Sequence, residues 1–170
     1  MFFFSKPKKE EPKKEELIVD NPVLGKMEYV YNWWSFDRID VFMFGKKYSV
    51  KYYAAAGENK GSPNSEQEDA FKKMLSEREK WQIDVEQAVI REIKLAPSLE
   101  YKDVIKVTGI HLSHDGGYGI SMEISEEYLD VVDLDELDIT PDQCFGVSVF
   151  PDLYVIKSHD DFDNIYLYLG

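Results

Sequence analysis

The chain has 170 residues, 44% of them hydrophobic, with 33 Asp+Glu against 20 Lys+Arg and a formal net charge of −13. One domain of this length buries most of its unfolded surface without cross-links. The lone Cys144 excludes an internal disulfide framework and any CxxC zinc or redox site.

In chain order, residues 1–16 come first as a charged tail. Lys6 to Glu16 holds five Lys, four Glu and two Pro, with nothing apolar to bury, so a disordered tail is expected. Met1-Phe2-Phe3-Phe4 is too short for a signal h-region. No apolar run approaches the length of a transmembrane helix, so a cytoplasmic, membrane-free protein is expected.

Residues 17–170 read as a single domain. Three runs alternate with period 2: Glu28–Trp34, Arg38–Phe44 and Tyr48–Tyr53. With Ser35-Phe36-Asp37 and Gly45-Lys46-Lys47 as short links, they predict an antiparallel meander. Adjacent strand residues face opposite sides, so only one of Trp33 and Trp34 can be core.

Ser65-Glu66-Gln67-Glu68 fits a capping box and predicts a helix starting at Ser65. Its apolar stripe is Phe71, Met74, Leu75, Trp81, Val85, Ala88, Val89 and Ile93, interrupted by polar Arg78. Pro97 ends it near Leu95. One long helix is expected, with Gln82-Ile83-Asp84 fitting the stripe poorly and marking a possible break around Trp81–Asp84.

Val104–Leu112 and Tyr118–Ile124 flank His114-Asp115-Gly116-Gly117, a strong hairpin signal. Phe145–Phe150 and Leu153–Lys157 predict a second hairpin, and Ile165–Leu169 an edge strand. Strands and helix are segregated. The expected class is α+β: a mostly antiparallel sheet, with an N-terminal meander and C-terminal hairpins, packed on one long helix.

The charge is divided unevenly. Residues 1–106 hold 19 Lys+Arg and 19 Asp+Glu, whereas residues 107–170 hold 14 Asp+Glu and one base, Lys157. Nine acids and no base lie between Glu123 and Asp142, interleaved with Leu129, Val131, Val132, Leu134, Leu137 and Ile139. A purely solvating tail lacks such anchors, so the acids are expected on an ordered surface that docks a basic protein. Asp130, Asp133, Asp135, Glu136 and Asp138 are the candidate partner-binding residues. The bland alternative is an acidic face that only keeps the protein soluble.

Other chemistries fit less well. Asp133 to Asp138 lacks the Gly and the Glu that an EF-hand needs at loop positions 6 and 12. His111, His114 and His159 form the nucleus of a competing metal-dependent enzyme reading, but no HExxH or CxxC supports them. Cys144 sits near Asp138 and Asp142, which disfavour a thiolate. Gly116-Gly117-Tyr118-Gly119 joins two strands, whereas a phosphate loop needs a helix after it. Nucleic acid is disfavoured because Lys46, Lys47 and Lys51 make a small patch diluted by Asp37 and Asp40. No catalytic residue and no cofactor are assigned.

Several segments also resemble a family of small bacterial proteins built on a domain of unknown function. They are Pro22-Val23-Leu24-Gly25 leading to Trp33-Trp34, Ser65-Glu66-Gln67, Asp115-Gly116-Gly117-Tyr118-Gly119, and Phe145-Gly146-Val147-Ser148-Val149-Phe150 followed by Ile156 and Asp160. The resemblance runs from about Asn21 to Asp163. Family members lie beside polymorphic toxin genes and are regarded as immunity proteins. The resemblance implies a non-enzymatic binding protein that neutralises a basic toxin. Relatives carry a His before the glycine matching Gly146, where this chain has Phe145. The remaining alternative is a general protein-interaction domain.

Overall fold

The computed structural model describes residues 17–30, 32–57, 61–132, 144–150 and 154–157. They form one eight-stranded sheet in sequential order: β1 (Ile18–Asn21), β2 (Gly25–Val30), β3 (Trp33–Met43), β4 (Lys46–Ala55), β5 (Ile105–Leu112), β6 (Tyr118–Ile124), β7 (Cys144–Phe150) and β8 (Tyr154–Lys157). Neighbours are antiparallel except β4 and β5, which run parallel. A parallel pair needs a crossover, and the helices α1 (Ser65–Ser76), α2 (Arg78–Glu92) and α3 (Tyr101–Val104) lie in that connection.

The alternation of the strands puts Val41, Met43, Tyr48, Val50, Tyr52 and Ala54 on an inner face with Ile110, Leu112, Ile120 and Met122. Phe71, Met74, Trp81, Val85, Ala88 and Val89 of the helices join the same core. Tyr52 stacks between Phe36, at 4.8 Å, and Phe71, at 5.0 Å.

The expectation of a sheet packed on one long helix is overturned. The helix breaks at Glu77, which ends α1 and begins α2 with φ −104° and ψ 20°. A continuous helix would bond the Met74 carbonyl to the amide of residue 78. Instead the Trp81 indole Nε1 donates to that carbonyl at 2.8 Å. Polar Arg78 offers nothing to the stripe, and the break lets Trp81 turn inward, where it is buried. Gln82 and Ile83, near the expected break, lie within α2.

The helix also begins one residue earlier in capping terms. Asn64, not Ser65, is the N-cap: its side chain accepts from the Gln67 amide at 2.9 Å, and Gln67 Oε1 accepts from the Asn64 amide at 3.0 Å. Buried Gln67 reaches further, donating from Nε2 to the carbonyls of Ala55 and Leu112 at the ends of the parallel strands.

The meander differs from expectation in two places. The run Glu28–Trp34 is folded back on itself, with Asn32 at φ 69° in the turn between β2 and β3. Asparagine tolerates that left-handed conformation better than most residues. Ser35-Phe36-Asp37 is a bulge inside β3 rather than a link. The next link is a tight turn at Phe44 and Gly45, whose φ angles of 53° and 74° suit a two-residue hairpin.

β2 pairs with β3 only over Trp33–Ser35, and among the described residues no strand covers the rest of that β3 edge. Side chains of α2 cover it. Gln82 accepts from the Phe42 amide at 2.7 Å and Glu86 from the Phe44 amide at 2.5 Å. Gln82 misfits the apolar stripe because it serves the sheet edge. The expected strand Ile165–Leu169 and the tail 1–16 lie outside the described residues.

Candidate functional site

The acidic segment begins where β6 ends. Lys106 and Glu123 face each other across β5 and β6 and form an ion pair. The Ser125 amide donates to Val104 at 2.8 Å, holding the chain against α3. A 3₁₀ turn over Glu126–Tyr128 follows. It is closed by the amides of Val131 and Val132, which both donate to Tyr128 at 3.1 Å. Val132 is buried, and Tyr128 and Leu129 pack against the core.

These anchors hold Glu126, Glu127 and Asp130 out in solvent. None of the three makes an ion pair among the described residues. A shallow recess of about 580 Å³ is lined by Lys106, Glu123, Ser125, Glu126 and Glu127. Val131, expected as an anchor, is instead 57% exposed beside Asp130. Of the five candidate partner-binding residues, Asp130 is placed here; Asp133, Asp135, Glu136 and Asp138 lie outside the described residues.

A second cluster sits on the outer face of the sheet. Parallel pairing sets Tyr53 beside His111, and their rings stack at 5.2 Å. Trp33 meets the same imidazole edge-on at 5.7 Å. The partner of His111 across β6 is Gly119, which has no side chain, so the imidazole Nε2 reaches Ser121 Oγ at 2.9 Å. Thr108 donates to that same hydroxyl at 3.1 Å. Gly109 makes room: a Cβ there would stand 3.1 Å from Ser121 Oγ and 3.3 Å from His111 Nε2.

Burial pulls the His111 pKa down to about 3. The imidazole is therefore neutral at pH 7 and a weak base. A general base works best with a pKa near the operating pH. The Ser121–His111 contact thus has the spacing of a nucleophile–base pair without its basicity.

Sequence reasoning missed this pair. Counting register back from the Asp115-Gly116-Gly117 turn places Gly119 opposite His111 and Ser121 two residues on. The Val107–Gly109 bulge and the parallel partner Tyr53 carry no local signal. His114 lies exposed in the hairpin turn, its carbonyl accepting from Asn64 Nδ2 at 2.8 Å. Among the described residues no three His, Cys, Asp or Glu side chains gather as a metal site. His159 lies outside them, and Cys144 opens β7 opposite Glu123.

Of the paired tryptophans, Trp34 is core, with its Nε1 donating to the Gly61 carbonyl at 2.7 Å, while Trp33 lies on the outer face. No helix among the described residues is long and apolar enough to cross a membrane.

Comparison with family models, with curated proteins and with solved structures finds no match for this chain. The resemblance to immunity-type proteins gains no support from them.

Proposed function

We propose that this protein acts by binding another protein rather than by catalysis, through the acidic surface that begins at Glu123. One observation carries the reading. Glu126, Glu127 and Asp130 are held out by a turn whose own apolar residues are anchored in the core. Acids on an anchored turn present fixed charge, which steers an oppositely charged partner into register. Exposed Val131 supplies an apolar contact among them.

The partner is a protein with a basic face. On the resemblance to immunity proteins, it is a toxin neutralised in the cytoplasm. Nothing in this reading needs a cofactor, nucleic acid or a membrane.

The test is co-expression with the product of the neighbouring gene, followed by association kinetics at low and high salt. The reading predicts a complex whose association slows steeply with salt and with the triple change Glu126→Gln, Glu127→Gln, Asp130→Asn. An association rate indifferent to both would refute docking through these acids.

A competing enzymatic reading rests on the 2.9 Å Ser121–His111 contact. Covalent labelling by a serine-directed phosphonate, lost in Ser121→Ala, would favour it.

A further inference from the structure

A cavity of about 420 Å³ opens at the fork where β2 and β3 part. Pairing between these strands stops at Glu28 and Ser35, and the bulge that follows carries β3 away. Lys26, Glu28, Ser35, Asp37, Arg38 and Lys51 line the opening.

The charges here are set against ordinary sheet design. Arg38 lies directly opposite Lys51 in the β3–β4 ladder. Like charges directly opposite one another destabilise a sheet. Among the described residues neither side chain makes an ion pair, and Lys26 makes none either. Arg38 donates only to the Ser49 carbonyl, at 2.7 Å. Farther along the same strands, Lys47 is relieved by Asp40 at 2.6 Å. At the fork the acids Glu28 and Asp37 line the same opening but form no ion pair with these cations among the described residues.

Ser35 is a second, independent sign. It is only 5% exposed, yet its hydroxyl makes no hydrogen bond among the described residues. The hydroxyl is not sealed from solvent, so it can donate into the cavity it lines. On the other flank, the neighbour of Lys51 on β5 is Gly109, which has no side chain of its own.

We infer that the β2–β3 fork binds a small oxyanion, a phosphate or carboxylate, between Arg38 and Lys51, with the Ser35 hydroxyl donating to it. Lys26 closes the site from β2. Glu28, opposite Ser35, and Asp37 on the bulge add two acceptors at the rim, so the ligand body carries hydrogen-bond donors. An oxyanion between opposed cations turns their repulsion into two charge-assisted hydrogen bonds. This site is separate from the acidic docking surface and does not depend on it.

The test is a backbone-amide NMR titration with inorganic phosphate and, separately, with succinate, each compared with sodium chloride at equal ionic strength. Saturable shifts confined to the amides of Lys26, Ser35–Arg38 and Lys51 are expected. Response to phosphate alone assigns the site to phosphoryl groups, and response to succinate alone assigns it to carboxylates. Lys51→Gln should weaken binding by roughly tenfold or more. Because it removes a like-charge contact, the ligand-free variant should be no less stable than the parent. Ser35→Ala should weaken binding without changing charge. No saturation with either anion, the same shifts from chloride, or unchanged affinity in Lys51→Gln would each overturn the assignment.

Discussion

The Gln82 side chain accepts the backbone amide of Phe42 at 2.7 Å, across 40 residues of sequence. It protects a strand edge that β2 leaves open, and Glu86 accepts the amide of Phe44 in the turn that follows. Unprotected edges template pairing with other chains. Gln82→Leu keeps the side chain's bulk but strands a β3 amide. The expected loss is about 1–3 kcal/mol in urea unfolding, with more aggregation by light scattering.

Trp81 holds the helix break together. Trp81→Phe retains an aromatic ring but removes the donor to the Met74 carbonyl. It should cost about 1–3 kcal/mol, the desolvation penalty of a stranded carbonyl. Trp81→Ala should cost about 3–5 kcal/mol, because a cavity is added. Equilibrium unfolding of both variants checks the difference.

His111 makes stability depend on pH. Its folded pKa is lowered from 6.5 to about 3, so the native state binds fewer protons than the unfolded state across that window. The contribution is fully present above about pH 6.5 and is lost as pH falls toward 3. By pH 5 the loss should reach about 2 kcal/mol, before most carboxylates titrate. His111→Phe should flatten the dependence between pH 6.5 and 5 in denaturant titrations. A profile unchanged by the substitution would show that the imidazole is not desolvated.

Gly109 is required by close approach. Gly109→Ala places a methyl 3.1 Å from Ser121 Oγ and 3.3 Å from His111 Nε2. Overpacking of this kind should cost about 1–3 kcal/mol. The His111 imidazole NMR signals should shift, whereas the Trp81 indole signal on the inner face should not.

The acidic residues should behave in the opposite way. Glu126, Glu127 and Asp130 are exposed and make no ion pair among the described residues. Neutralising all three should change stability by about 0.5 kcal/mol or less per site. Any slowing of partner association would then report steering rather than misfolding.

Much of the fold was legible from periodicity. The run Tyr118–Ile124 was expected as a strand and is β6. Its partner run Val104–Leu112 is β5 apart from Val104, which closes α3. Alternation also told that one tryptophan of the pair is core, though not which. The expectation of one long helix fails because the stripe continues on both sides of Glu77 while the backbone does not. A single polar residue in the stripe, Arg78, was the visible trace of that break. The link expected at Ser35-Phe36-Asp37 is a bulge, because a bulge and a turn draw on similar local sequence.

Of the five candidate acids the described residues include only Asp130; its flanking anchors Leu129 and Val132 follow from the apolar interleaving, whereas Val131 is exposed. The chain alone thus determined which faces are apolar, where the 112–118 hairpin turns and where negative charge collects. Each follows from side-chain chemistry at fixed spacing. Only the tertiary structure decided that β4 and β5 run parallel, that Trp81 replaces a helical hydrogen bond, and that Tyr53, His111 and Ser121 meet. It also set Arg38 against Lys51 at the fork. Those outcomes depend on strand register and on side chains bonding to distant backbone, energies that exist only once remote segments are packed together.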